Sequence, residues 1–148
     1  LSDRDSGVLI AHGDATGGYS LYMDNGHLVH DLNIGGTHQL LTSPEPVLPG
    51  RRELAFVMQR QPQDDNTVIG RASLRVDDVE VAELSTNSIF TLMISWSGLD
   101  IGFDRGTTVG NYASPFTFSG KLHKVTVDLS DDQELDHDGV GRAEMARE

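Results

Sequence analysis

The chain predicts an all-β protein, an antiparallel β-sandwich, on three observations. Its apolar residues fall in about nine or ten short runs, several alternating with polar residues at period two. Turn residues separate the runs at regular intervals, and the 148 residues include sixteen glycines and five prolines. No long segment carries the 3.6-residue period of an amphipathic helix.

The elements follow in order. Val8-Leu9-Ile10-Ala11 is a short apolar run of the kind that forms a buried strand. Residues 12–18 are loop, and 19–23, rich in aromatics, form the next strand. Asp24-Asn25-Gly26 marks a turn, because Asn and Gly adopt positive φ at low cost. Residues 27–32 return as its hairpin partner. Residues 37–42 form a strand that ends at Ser43-Pro44-Glu45-Pro46, where proline removes ladder donors. Residues 53–59 are apolar at Ala55 and Val57 as well as at Leu54, Phe56 and Met58, so they predict a central strand. Residues 72–76 and 79–84 flank Asp77-Asp78 as a second tight hairpin. Residues 89–96 and 99–103 predict two further strands, and 105–115 the longest loop. Residues 121–129 predict a final strand, with His123, Val125, Val127 and Leu129 on one face.

Residues 1–130 therefore read as one β-sandwich domain and 131–148 as an acidic C-terminal tail. Within the tail, 139–147 is the single helical candidate, and two glycines weaken it. Asp131, Asp132, Glu134, Asp136 and Asp138 concentrate charge there. The formal net charge is −12. Such a surface repels phosphate backbones and anionic membranes, which excludes nucleic acid and membrane as partners at this stage. No run is long enough to span a bilayer. There is no cysteine, so there is no disulfide, no thiol nucleophile and no Cys-ligated zinc. The first residue is Leu1 rather than Met, which points to a lost upstream segment.

One ordered set of motifs carries a family likeness. It comprises Gly7-Val8-Leu9-Ile10-Ala11-His12-Gly13, Gly17-Gly18-Tyr19-Ser20-Leu21-Tyr22 and Gly26-His27-Leu28-Val29. Pro44-Glu45-Pro46 with Pro49-Gly50, and Leu74-Arg75-Val76-Asp77, continue it. Asp100-Ile101-Gly102, Asp104-Arg105-Gly106, the run from Phe116 through Leu122 and the closing Glu144-Met145-Ala146-Arg147-Glu148 complete it. In this order they resemble a concanavalin or laminin-G-like jelly roll, specifically the C-terminal domain of large bacterial arylsulfatases. The resemblance implies a non-catalytic accessory domain that packs on a sulfatase catalytic domain and shapes access to it. It implies a soluble bacterial protein of the cytoplasm or periplasm. The family's chemistry uses formylglycine, made from the Cys or Ser of a C/S-x-P-x-R motif, and a calcium, both in an upstream α/β domain. This chain holds no such motif, so the expectation is no catalytic residue, no metal and no cofactor. The family also has an extended segment before the first motif, and only residues 1–6 precede it here, so the resemblance implies a sandwich short of its first strand. An edge left open in that way would favour a homodimer.

The residues themselves offer few sites. His27 and His30, three apart in a strand, fall on opposite faces and cannot share an ion. His12, His38 and His123 would meet only through the fold. Asp14 and Asp64-Asp65-Asn66 supply oxygen ligands in loops. Glu134, Asp136 and Asp138 imitate an EF-hand, but Met145 stands where the bidentate Glu belongs. Glu53, Asp77, Asp78, Glu80 and Glu83 sit at turns or on a solvent face, which is wrong for a hydrolytic pair. A Ser-His-Asp triad lacks its G-x-S-x-G elbow. The best ligand-facing candidates are Trp96, Arg105 and Tyr112, around the long loop. An aromatic stacks on a sugar, and an arginine grips a sulfate. That supports the alternative of a free-standing carbohydrate-binding or adhesive lectin-like module.

Overall fold

The computed structural model describes residues 1–62, 68–86 and 97–129. Among them are eight strands and no helix: β1 Gly7–Asp14, β2 Gly17–Asp24, β3 His27–Ile34, β4 Thr37–Thr42, β5 Leu54–Pro62, β6 Val68–Val76, β7 Val79–Thr86 and β8 Leu99–Ile101. A larger antiparallel sheet has five strands in the order β4-β3-β2-β1-β8, and a smaller antiparallel one has three, β5-β6-β7. The hairpins close on local turn chemistry. Asn25 (φ 48°) with Gly26 (φ 86°) joins β2 to β3, and Asp77 (φ 50°) with Asp78 (φ 64°) joins β6 to β7. Positive φ at both central residues matches the right-handed twist of the flanking strands.

Alternation divides each sheet into two faces. On the larger sheet Leu21, Met23, Leu28 and Leu41 turn one way and join Ala72 and Leu74 of β6 in the main core. Register shifts between Val8 and Ile10, so Leu9 is an extra residue in β1. That bulge lets Leu9 and Ile10 both reach the core. Met23, Leu28 and Leu74 are completely enclosed, and each such side chain contributes about 1.5–3 kcal/mol by leaving water. His30 shares this face. Its ring lies parallel to Phe56 of β5, 3.5 Å between centroids.

Three expectations fail. Residues 12–18 are not one loop: β1 runs through Asp14 and β2 starts at Gly17, so only Ala15-Thr16 connects them. Residues 53–59 are not central among the described residues: there β5 pairs with β6 alone, and β6 occupies the middle of the smaller sheet. Ala55 and Val57 are half-buried on the outer side, so apolar residues of both parities marked small outward side chains, not burial on both faces. Residues 121–129 form no strand. Phe118 and Leu122 pack on the rim of the main core, but Val127 is 55% and Leu129 66% exposed. Alternation without a neighbour to pair with builds no ladder. The expected strand at 89–96 and the tail 131–148 with its helical candidate lie outside the described residues, as does Trp96.

Candidate functional site

The long loop closes over the outer face of the larger sheet. The register places Val8, Ser20, Tyr22, Asp31 and Asn33 on that face. Polar residues facing away from a core ordinarily meet water. Here the loop covers them, and Ser20, Asp31 and Asn33 are fully buried. Val8, Ala11 and Val109 form a second, small core beneath it, rimmed by Tyr22, Tyr112 and Phe116. The Tyr112 ring meets Tyr22 edge-on at 5.0 Å and Phe116 at 4.9 Å.

Three buried polar side chains hold the loop down. Asp104, 1% exposed, accepts the Val109 N–H at 3.0 Å and the Tyr112 hydroxyl at 2.8 Å through Oδ2. Asn33 donates to the carbonyls of Ala15 at 3.1 Å and Val109 at 3.0 Å, and accepts the Gly36 N–H at 2.8 Å. Asp31 accepts from His38 Nδ1 at 2.9 Å and from the backbone N–H of Asn111. Gly110 lies between them. A side-chain carbon there would overlap the Tyr112 ring and stand 3.1 Å from the Asp31 carboxylate.

Burial pushes the Asp31 and Asp104 carboxyls above the ordinary range, against the opposing pull of their hydrogen bonds. It drives Tyr22 up to about 12, with the Asp31 and Asp24 carboxylates adding to the effect. Tyr112 moves further in the same direction, mainly by burial and then by the Asp104 carboxylate. Ser20 Oγ is close enough to Tyr112 to oppose that shift, yet it makes no hydrogen bond of good geometry.

Of the residues nominated from sequence, Arg105 and Tyr112 belong to this loop, and each is committed to its own carboxylate. The Arg105 backbone N–H and Nε donate to Asp100 at 2.8 and 2.6 Å, and the guanidinium lies 5.6 Å from the Phe103 centroid. Burial pushes the Asp100 carboxyl up, but the bonds from Arg105 outweigh it and hold it below the ordinary range. The Arg105 side chain is 64% exposed and already neutralised. The Tyr112 hydroxyl is spent on Asp104, and its ring is enclosed by other aromatics.

Sequence reasoning missed Asp31, Asn33, Asp100 and Asp104. All four are buried, and no local pattern marks a polar residue that a distant loop will cover. The histidines do not converge. His12 packs edge-on to Tyr19 at 5.8 Å, His27 bonds the Ser43 carbonyl at 2.9 Å, and His123 is exposed. Asp14 accepts the Thr16 N–H at 2.8 Å in the β1–β2 turn. Glu53, Asp77, Asp78, Glu80 and Glu83 are exposed, as their positions implied. Among the described residues no group of three or more His, Cys, Asp or Glu is arranged for a metal ion. Residues 64–66 lie outside the described set.

A groove of about 330 Å³ opens elsewhere, between the β4–β5 connection and the β6–β7 hairpin. Pro44, Pro46, Val47, Leu48, Val76 and Val81 make it mostly apolar, with Glu45 and Arg52 at its margin. Leu48 stands 70% exposed and Val79, in the adjacent hairpin, 64%. No family model, no characterised protein and no solved structure matches the chain.

Proposed function

We propose that the chain is a non-catalytic accessory domain of an arylsulfatase-type sulfuric ester hydrolase, with a jelly-roll sandwich architecture. It packs on a catalytic domain that this chain does not contain and shapes access to it. One observation carries the reading. The Asp104 carboxylate and the Tyr112 hydroxyl of the long-loop region are paired with each other inside the domain, while the groove between the β4–β5 connection and the β6–β7 hairpin is mostly apolar. An apolar groove flanked by exposed Leu48 and Val79 suits burial against another protein surface rather than capture of a sulfated sugar.

The motif order supports the same reading. Its first three pieces fall in β1, β2 and β3, and the Asp100 to Gly106 and Phe116 to Leu122 pieces flank the covering loop. No residue of this chain acts on sulfate. Formylglycine and calcium belong to the catalytic domain of the parent enzyme.

The second reading is a free-standing carbohydrate-binding module. The exposed Arg105 guanidinium beside Phe103 favours it. The reading frame upstream of Leu1 separates the two. The accessory reading expects a domain bearing a C/S-x-P-x-R motif there. A stop codon or an unrelated domain contradicts it.

A further inference from the structure

We infer that β4 is a self-association edge, at which a second copy of this chain adds its own β4 antiparallel and continues the larger sheet across a two-fold axis. The inference is independent of the accessory-domain reading and of any absent strand.

The argument starts from which backbone groups face outward. Gly35 (φ 60°) and Gly36 (φ 86°) form a two-residue turn between β3 and β4, which makes Ile34 and Thr37 a hydrogen-bonded pair. Pairing then alternates, so Gln39 and Leu41 also face β3. The bond from Ser43 N–H to the Leu28 carbonyl at 2.8 Å has the same parity. His38, Leu40 and Thr42 therefore direct their N–H and C=O groups away from β3. Among the described residues β4 pairs with β3 alone.

Among the described residues the other edges are guarded, and β4 is not. β5 carries Arg60 and ends at Pro62. β7 carries Glu80 and Glu83 beside a register shift. β8 has three residues, one of them Asp100. Charge, proline, bulges and brevity are the devices that blunt strand edges. β4, Thr-His-Gln-Leu-Leu-Thr, has no Lys, Arg, Asp, Glu or Pro, and pairs with β3 without a register shift. Leu40 is 52% exposed on it.

The outward groups are symmetric about Leu40, and that symmetry selects a second copy as occupant. An antiparallel two-fold sets Leu40 opposite the partner's Leu40 and His38 opposite the partner's Thr42. Every outward N–H and C=O of the three residues then finds a complement, and the two leucines cover each other. A six-residue edge buries little area, so the expected dissociation constant is on the order of 100 µM. Each chain carries −12, so association should tighten as salt rises and screens beyond about 8–10 Å.

Sedimentation equilibrium up to about 1 mM tests the inference across this affinity range. The expected mass rises from 16.1 kDa toward twice that value. Leu40→Lys, which sets two cations opposite each other on the axis, should weaken association at least about tenfold. Gln59→Lys on β5 should leave it unchanged. In the unsubstituted chain, amide exchange at His38, Leu40 and Thr42 should slow with rising concentration, a readout that needs no variant. A monomer throughout, association indifferent to Leu40→Lys, or exchange at those amides indifferent to concentration would overturn the assignment.

Discussion

At the scale of single residues, two buried groups carry opposite obligations. Asp104 is the acceptor on which the loop closes. Asp104→Ala leaves the Val109 N–H and the Tyr112 hydroxyl without their partner, and each stranded group costs about 1–3 kcal/mol. The expected outcome is a loss of several kcal/mol in a urea titration, with Asp104→Asn losing less because it keeps an acceptor oxygen. Equal stability of Asp104→Ala and the parent would mean that the loop is fastened elsewhere.

His30 works the other way. Burial lowers its pKa to about 3 from the ordinary 6.5 of a histidine, and its Nε2 has no hydrogen-bond partner. A depressed folded pKa means that the unfolded chain binds the proton first. Stability is therefore lost as pH falls from about 6.5 toward 3, by about 1.4 kcal/mol per unit. The raised carboxyls of Asp31 and Asp104 oppose this. Their contribution is full below the unfolded value of 3.8 and is lost as pH rises through their folded values. Comparison with His30→Leu isolates the histidine. The variant should match or exceed the parent at pH 7 and lose the acid slope in this window, and an unchanged slope would contradict the assignment.

At the scale of elements, local chemistry was legible and pairing was not. Asn25-Gly26 and Asp77-Asp78 declared their turns because positive φ is a property of the residues in the turn. The boundaries of β4 were equally local, set by the turn at Gly35-Gly36 and the break at Pro44. The position of β5 in its sheet and the fate of 121–129 depended on neighbours distant in sequence. Apolar residues of both parities placed β5 at the centre, where β6 stands among the described residues, and the alternation at 121–129 promised a strand that finds no partner among them. The same limit hid the site. Arg105 and Tyr112 were correctly assigned to one loop, but Asp100 and Asp104, the carboxylates that bond them, were not nominated as site residues.

Two predictions belong at this scale. Asp77 accepts the Glu53 N–H at 2.9 Å and pairs with Arg52, whereas Asp78 is a non-glycine residue at φ 64° with no such role. Asp78→Gly should therefore gain up to about 1 kcal/mol by relieving left-handed strain. Asp77→Ala should lose stability with its hydrogen bonds. Thermal unfolding checks both, and the reverse order would contradict the turn assignment. Val127→Lys should change stability by less than about 0.5 kcal/mol, because that side chain is 55% exposed outside any strand. A loss near the 1.5–3 kcal/mol of a buried valine would show that 121–129 is paired after all.

At the scale of the whole molecule, the polar groups that pin the loop are paired inside the domain, while a mostly apolar groove lies open at the surface. The loop clamps itself to one face of the larger sheet through Asp31, Asn33 and Asp104, while the groove at Pro44, Leu48 and Val81 stays open. This distribution is that of a scaffold which presents surfaces to proteins, and it underlies the proposed accessory role. The most direct test is a two-dimensional amide NMR titration of the chain with inorganic sulfate, an aryl sulfate and a sulfated oligosaccharide. The account predicts no saturable shift at Arg105, Tyr112 or their neighbours and no release of sulfate. Saturable shifts confined to that loop would contradict it and make the domain a ligand-binding module.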